Sequence, residues 1–151
     1  MPDTRRPGQH ETTLLYLMKQ VELAVRSRLD DMFRPVGLTA LQYTALTVLE
    51  RHPNLTSAEL ARNSFVTAQT MSDMVAALQE RGLVERHRDP ADRRRLVLSV
   101  TADARRLLGR YRGRVAALEA QMLDGLSAAQ AQQLRRALVS CRNALAGDDA
   151  H

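Results

Sequence analysis

The densest cluster of charged side chains in this sequence is a run of arginines between residues 86 and 95. A guanidinium group stays charged at neutral pH, and its planar fork matches phosphate oxygens and the guanine edge in pairs. Asp89 and Asp92 partly neutralise the run, although each could also brace an arginine in an extended rotamer. We expect this segment to bind a polyanion; the alternative is an ordinary solvated face. The arginines are Arg86, Arg88, Arg93, Arg94 and Arg95.

A second group of polar side chains lies just upstream, between residues 67 and 81. In a helix, the apolar residues of this segment fall on one stripe and leave the polar residues on the opposite face. Gln can form two hydrogen bonds to adenine, and Ser and Thr can reach phosphates or base edges. This face suits base recognition, and the alternative is a merely solvated surface. The stripe consists of Met71, Met74, Val75 and Leu78, and the polar face of Thr67, Gln69, Thr70, Ser72 and Asp73.

Helix-start signals and apolar periodicity define the elements that must position these residues. Capping boxes, in which a hydroxyl accepts from the N3 amide and a Gln or Glu side chain returns to the cap, begin at Thr39, Thr56 and Ser127. Thr67 and Thr101 are further candidate N-caps. Three- and four-residue apolar spacing predicts helices over about 11–33, 39–51, 56–63, 67–81, 101–122 and 127–145.

The pattern changes after Gly82, a residue suited to end a helix because it tolerates a left-handed φ. Residues 83–88 and 95–100 predict two short strands, joined by a turn-rich connector. Helix, short helix, helix and hairpin together form a winged helix-turn-helix, so the predicted fold is mainly α with a small β-hairpin wing. We expect Phe65 and Val66 to anchor the underside of the turn between its two helices.

This arrangement predicts binding to double-stranded DNA. The helix over 67–81 would enter the major groove, where its N-terminal amides and dipole favour phosphate. The wing, residues 85–95, would enter the minor groove, where a narrow groove concentrates negative potential around an arginine.

Apolar seams also run along the terminal helices. The first lies on residues 11–33, and it could pack either within one chain or against a second copy of the chain. The second seam consists of Ala104, Leu108, Tyr111, Val115, Leu118 and Met122 and continues through Leu134, Leu138, Cys141 and Leu145.

With these motifs in place, the sequence resembles the MarR (multiple antibiotic resistance regulator) family. The resemblance implies a homodimer that binds a pseudo-palindromic operator, usually as a repressor released by a small-molecule effector. It rests on the stretch 55–108, with Glu59-Leu60-Ala61, Val66-Thr67-x-x-Thr70, Leu78-x-x-x-Gly82-Leu83-Val84 and Asp89-Pro90-x-Asp92-Arg93-Arg94 before Leu98-Ser99-Val100-Thr101.

The resemblance also implies a role for each part of the chain. Arg94 matches the family's wing-tip arginine, which enters the minor groove, and Asp92 matches its carboxylate partner. Asp73 departs from the family, where arginine is common; an aspartate repels phosphate but can accept from cytosine N4. Ala104 replaces a common glycine. The implied organisation is a flexible arm (1–10), a dimerisation helix (11–38), a winged helix-turn-helix DNA-binding domain (39–101), and linking and dimerisation helices (102–147).

The resemblance further implies a pocket for the effector. The family's pocket lies between the dimer helices and the winged domain, and its candidate lining residues here are Tyr16, Phe33, Gln42 and Tyr43. Each of them could instead belong to the core or the surface. A peroxide-sensing branch of the family uses an N-terminal cysteine, whereas the single cysteine here is Cys141 on the last helix. A redox-responsive regulator acting through Cys141 is an alternative.

Composition excludes several other classes of protein. One cysteine in 151 residues excludes a disulfide framework and a multi-thiolate zinc cluster. No apolar run approaches the ~20 residues of a membrane helix, and we expect a cytoplasmic protein. The sequence contains no paired carboxylates, Ser/His or Cys/His arrangement or phosphate loop, so we expect no enzyme, metal or cofactor. The net charge of +5 leaves a non-specific architectural DNA-binding protein as a further alternative.

Overall fold

Residues 12–147 are described by the structure, a computed structural model. The fold is mainly α with a two-stranded antiparallel hairpin, which confirms the predicted class and order of elements. The predicted flexible arm, residues 1–10, lies outside the described residues. The elements are α1 (Leu14–Phe33), a 3₁₀ turn (Arg34–Val36), α2 (Ala40–Arg51), α3 (Ser57–Asn63), α4 (Ala68–Glu80), β1 (Val84–Arg88), β2 (Leu96–Val100), α5 (Ala102–Met122) and α6 (Ala128–Ala146).

Side-chain caps set the starts of the helices. Thr67 and Thr101 each accept a hydrogen bond from a backbone amide three residues further on, as predicted. The first helix begins at Leu14 and not at residue 11, because Thr13 is its N-cap. All three predicted capping boxes form, and they pair Thr39 with Gln42, Thr56 with Glu59 and Ser127 with Gln130.

Gly82 ends α4 in the way the sequence predicts. Its φ of 73° is left-handed, and its amide donates to Gln79 O at 3.0 Å. The next amide, that of Leu83, donates to Leu78 O at 2.9 Å. This pair of bonds satisfies the last carbonyls of the helix and turns the chain directly into β1.

The chain divides into two compact units, one up to Arg112 and one from Gly113 onward. In the first unit, α2 packs through Ala45, Leu46 and Leu49, all of which are buried as predicted. Leu41 was expected to face inward and is 37% exposed, because it lies about a quarter turn from the middle of that stripe. The other fully buried large side chains are Phe33, Leu60, Met71, Val75, Leu78, Val84, Val97 and Leu98.

The hairpin is attached to the rest of the first unit along its second strand. Val84 lies opposite Val100, and Arg88 opposite Leu96, so each strand is one residue shorter at its start than predicted. The other edge of β2 pairs with the loop before α3, where the Leu98 amide donates to Leu55 O at 2.8 Å. The base of the wing is therefore held by both β1 and this loop.

The second unit buries little of its apolar surface within itself. No residue of α6 is buried in the described part of the chain, although the sequence predicts an apolar seam along it. Leu145 is 70% exposed, and Cys141, which belongs to the same seam, is exposed as well. The seam is present in the sequence, but within the unit it is covered only in part: Leu134 is half-buried, whereas Leu138 and Leu145 are exposed.

Candidate nucleic-acid interface

The rotation of α4 is set by its apolar side chains. Met71, Val75 and Leu78 are fully buried, whereas Met74, which was predicted to be buried with them, is only half-buried. The opposite side of the helix is therefore exposed, as the sequence predicts. We call Thr67, Gln69, Thr70, Ser72 and Asp73, all exposed, the recognition face.

Two pairs of side chains on the recognition face are hydrogen-bonded to each other. The Thr67 hydroxyl accepts from the Thr70 amide at 3.1 Å and donates to Thr70 Oγ1 at 2.9 Å. Because the hydroxyl hydrogen of Thr67 is used in this bond, the free O–H donor of the pair is that of Thr70. The second pair joins residues one helical turn apart: Gln69 Nε2 donates to Asp73 Oδ1 at 3.0 Å.

The turn that leads into α4 is built differently from the prediction. Phe65 adopts a left-handed φ of 55°, its amide donates to Arg62 O at 3.2 Å, and the next amide, that of Val66, donates to Ala61 O at 3.1 Å. Phe65 thus occupies the position that usually holds glycine at a helix end. Its side chain is 56% exposed, so the prediction that it anchors the underside of the turn is wrong, while Val66 is half-buried.

The aspartates of the wing order its tip through backbone amides. Asp92 Oδ1 accepts from the Arg94 amide at 3.1 Å, and Asp89 Oδ1 accepts from the Ala91 amide at 2.9 Å. Backbone bonds close the tip, where the Asp89 amide donates to Arg95 O at 2.9 Å. The tip therefore has a defined shape, in which Asp92 holds the main chain of Arg94.

Arg95 differs from the other wing arginines because its guanidinium group is already paired. Its Nη2 donates to Glu59 Oε1 on α3, and its Nε lies 3.8 Å from Asp89 Oδ2. The guanidinium group of Arg95 therefore braces the wing against the helix-turn-helix. The sequence did not single out Glu59 for this contact, because the partners are 36 residues apart.

Four wing arginines remain exposed with no recorded side-chain partner among residues 12–147. These guanidinium groups need not break a contact in order to reach a phosphate or a groove. They are Arg86, Arg88, Arg93 and Arg94.

Glu59 is held in its charged form. Partial burial acts to raise the pKa of this carboxyl group, but hydrogen bonds with Thr56 and the charges of Arg95 and Arg62 outweigh it. The pKa of Glu59 therefore lies below its ordinary value, so the pair with Arg95 stays charged to a lower pH than an ordinary carboxyl would allow.

The candidate effector residues have different surroundings. Phe33 is fully buried, with its ring centroid 4.5 Å from that of Tyr43 and 4.6 Å from that of Tyr111. Burial raises the pKa of the Tyr43 hydroxyl, against a smaller lowering by Arg51. The Gln42 side chain is used in its capping box, and Tyr16 is 57% exposed.

Two other kinds of site are absent from residues 12–147. None of the helices in this part of the chain combines the length and apolar character of a membrane span. In the same part of the chain, no three His, Cys, Asp or Glu side chains lie close enough together to hold a metal ion.

Comparisons with known proteins bear on the fold and on function. The sequence profile of the MarR family matches residues 36–95. The HTH-type transcriptional repressor Rv2887 of Mycobacterium tuberculosis is 34% identical over 128 residues, which are 85% of this chain and 92% of that protein. Its crystal structure in complex with p-aminosalicylic acid has a TM-score of 0.68 and 32% identity, covering 86% of this chain and 98% of the other.

A structure with bound DNA shares the fold. The S. aureus MepR–DNA complex has a TM-score of 0.78 at 22% identity and covers 91% of this chain and 99% of the MepR chain. This likeness supports the winged helix-turn-helix architecture of the chain.

Proposed function

The chain belongs to the MarR family, and from that premise we propose that it is a homodimeric repressor that binds a pseudo-palindromic operator and is released by a small-molecule effector. It is a DNA-binding transcriptional regulator and not an enzyme. The observation that carries the proposal is the exposed recognition face of α4 followed directly by the arginine-rich wing.

DNA contact is proposed for the two exposed surfaces of the first unit. The recognition face would lie in the major groove, where Gln69, Thr70 and Ser72 reach base edges or phosphates. Arg94 would enter the minor groove from a wing tip that Asp92 holds in shape. Arg86, Arg88 and Arg93 would pair with phosphates nearby, and Arg95 would hold the wing in position through Glu59.

Dimerisation is proposed for the apolar side chains of α1 and α6. On α1, Leu14 is 81% and Leu17 45% exposed, and only Leu29 and Phe33 of that helix are buried. On α6 none is buried. A second copy of the chain would remove these surfaces from water and give the two-fold symmetry that a pseudo-palindromic operator requires.

Effector binding is proposed because the Mycobacterium tuberculosis relative was solved in complex with p-aminosalicylic acid. Tyr16, Gln42 and Tyr43 remain the proposed lining residues, with Phe33 supporting Tyr43 from below by the ring stack. An effector bound at these residues would change the spacing of the two recognition faces in the dimer and so weaken operator binding.

The decisive test is selection of binding sites from a pool of random DNA duplexes, followed by fluorescence anisotropy. We expect an enriched pseudo-palindrome that binds at least about a hundredfold more tightly than a scrambled duplex at physiological salt. Equal affinity for the two duplexes would establish a non-specific architectural protein instead.

The wing contact is tested by Arg94→Ala on the selected duplex. We expect weaker binding by roughly 1–3 kcal/mol, because a buried minor-groove arginine is lost, with an unchanged dimer mass. Arg105→Ala, which removes an exposed arginine of α5, is the matched control for lost positive charge. Equal losses in the two variants would remove the special role of Arg94.

A further inference from the structure

The helix proposed to lie in the major groove, α4, contains no basic side chain. The 13 residues of α4 include Asp73 and Glu80 but neither lysine nor arginine, whereas the wing carries five arginines. Phosphate neutralisation, and with it the salt dependence of binding, must therefore come mainly from outside α4. What α4 offers to DNA is a set of neutral polar and acidic groups, which suits base selection more than affinity.

Gln69 and Asp73 are the longest exposed side chains in the first two turns of α4, the part of a recognition helix that contacts base edges. The positions beside them, Ala68, Ser72 and Ala76, are small and exposed. A helix lying in the major groove would therefore bring Gln69 and Asp73 to the base edges first.

The hydrogen bond between the two side chains fixes which atoms they present. A carboxylate only accepts, so the amide group of Gln69 must point its nitrogen toward Asp73, and the distance from Nε2 to Oδ1 is 3.0 Å. Gln69 Oε1 and one N–H, together with Asp73 Oδ2, have no recorded partner among the described residues. The pair thus presents two free oxygen acceptors and one free N–H donor.

This pattern distinguishes among bases. In the major groove, guanine and the thymine carbonyl present acceptors that oppose a carboxylate, whereas cytosine N4 and adenine N6 present amino donors. A carboxylate matches cytosine best, since adenine also presents the N7 acceptor beside its amino group. Four residues along a helix span about 6 Å, which is close to two base-pair steps of about 3.4 Å.

We propose that Gln69 and Asp73 form one base-reading unit, in which Asp73 selects a cytosine through its N4 amino group and holds the Gln69 amide for a base one or two pairs away. The proposal rests on the proposed function, since it requires α4 in the major groove. It also gives a role to an acidic residue that would otherwise only repel the phosphates.

The test is to repeat the selection from random duplexes with wild-type protein and with Asp73→Asn, Gln69→Ala and Glu80→Gln. Asn can still accept from Gln69 but presents an amino donor in place of the second carboxylate oxygen. Glu80→Gln removes the same charge from the same helix about 10 Å away along its axis and is the matched control. Thermal melting shows whether all variants are equally folded.

We expect the wild-type half-site to contain a cytosine that is favoured about tenfold over the other bases. In Asp73→Asn this preference should disappear and the preference at the neighbouring position should weaken, while binding to scrambled DNA tightens because a repulsive charge is gone. Gln69→Ala should weaken only the neighbouring position, and Glu80→Gln should keep the wild-type half-site.

An unchanged half-site in Asp73→Asn would overturn the base-reading unit and leave the proposed regulator intact. Loss of the cytosine preference in Glu80→Gln as well would also overturn it, since the effect would then be one of charge alone. A wild-type selection that enriches no half-site would overturn sequence-specific regulation itself, and the unit with it.

Discussion

Arg94 and Arg95 are adjacent in the chain, yet their guanidinium groups have different surroundings. That of Arg95 is held between Glu59 of α3 and Asp89 of the wing, while that of Arg94 is exposed above a tip ordered by Asp92. An unpaired, exposed arginine can enter a groove without losing a contact, whereas moving Arg95 would leave the carboxyl of Glu59 without its partner. At the level of single residues, the wing therefore has one exposed arginine for the proposed DNA contact and one paired arginine that supports the position of the wing.

The Glu59–Arg95 pair should make stability depend on pH in the acid range. The pKa of Glu59 is lowered in the folded chain, so its contribution is present above its unfolded pKa of about 4.3 and is lost as the pH falls through the folded pKa. Glu59→Gln keeps the capping oxygen but removes the charge. We expect it to lower the free energy of unfolding at pH 7 by on the order of 0.5 kcal/mol, measured by urea denaturation.

The difference between wild type and Glu59→Gln should shrink when the same denaturation series is repeated between pH 5 and pH 3. Glu85→Gln, at an exposed carboxyl of β1 with no recorded partner in residues 12–147, is the control and should change little at either pH. A difference between wild type and Glu59→Gln that stays constant down to pH 3 would contradict a charged pair.

At the level of elements, the turn between α3 and α4 carries local backbone strain. Phe65 closes the end of α3 in a left-handed conformation, which costs an L-residue other than glycine or asparagine roughly 1–2 kcal/mol. Its ring is more than half exposed and so recovers little of this cost by packing. The turn is still well defined, because Val66 follows it with a backbone bond to Ala61 O and the next residue caps α4.

Relief of this strain should be measurable by comparing three substitutions at Phe65. Phe65→Ala removes the ring but keeps the β-carbon that disfavours a left-handed φ, whereas Asn and Gly tolerate it. We expect Phe65→Asn to be more stable than Phe65→Ala by about 1 kcal/mol in urea denaturation, with Phe65→Gly between them. Identical midpoints for the Asn and Ala variants would show that the turn is unstrained.

At the scale of the whole molecule, the exposure of apolar side chains differs between the helices α1 and α6 and the winged block, residues 40–100. The winged block between α2 and β2 encloses a core of fully buried side chains, whereas α1 and α6 leave large apolar residues exposed. Contiguous exposed apolar surface on a folded chain marks an interface. The single chain is therefore expected to be half of a larger assembly.

Substitution of these apolar residues by glutamate should separate the proposed dimer. Leu17→Glu and Leu145→Glu replace side chains that are 45% and 70% exposed in the single chain, so its own core is spared. A charge buried without a partner at an interface is strongly unfavourable. Light scattering after gel filtration should then give a mass near the chain mass of 16.9 kDa in place of twice that value.

Leu96→Glu, an equivalent change at a residue of β2 that is 41% exposed, should leave the mass of the dimer unchanged. If neither Leu17→Glu nor Leu145→Glu alters the mass measured for the wild type, these two helices are not the interface.

Most of the secondary structure followed from the sequence. Capping boxes at Thr39, Thr56 and Ser127 and the left-handed Gly82 were all predicted, because a cap or a helix end depends on residues within one or two turns of each other. The hairpin and the exposed side of α4 also followed from local periodicity. Phe65 was misjudged because its hydrophobicity suggested burial, whereas the backbone geometry of the turn determined its exposure.

The tertiary structure decided how otherwise similar residues differ. Five wing arginines are indistinguishable by type and spacing, and only the approach of α3 to the hairpin shows that Arg95 is paired with Glu59. In the same way, only packing shows that the ring of Phe33 stacks on that of Tyr43 in the next helix and contacts, at a tilt, that of Tyr111, which lies far from it in the chain. The sequence by itself determined the elements and their exposed faces, since neighbouring residues control these; the partners across the fold depend on how the elements pack.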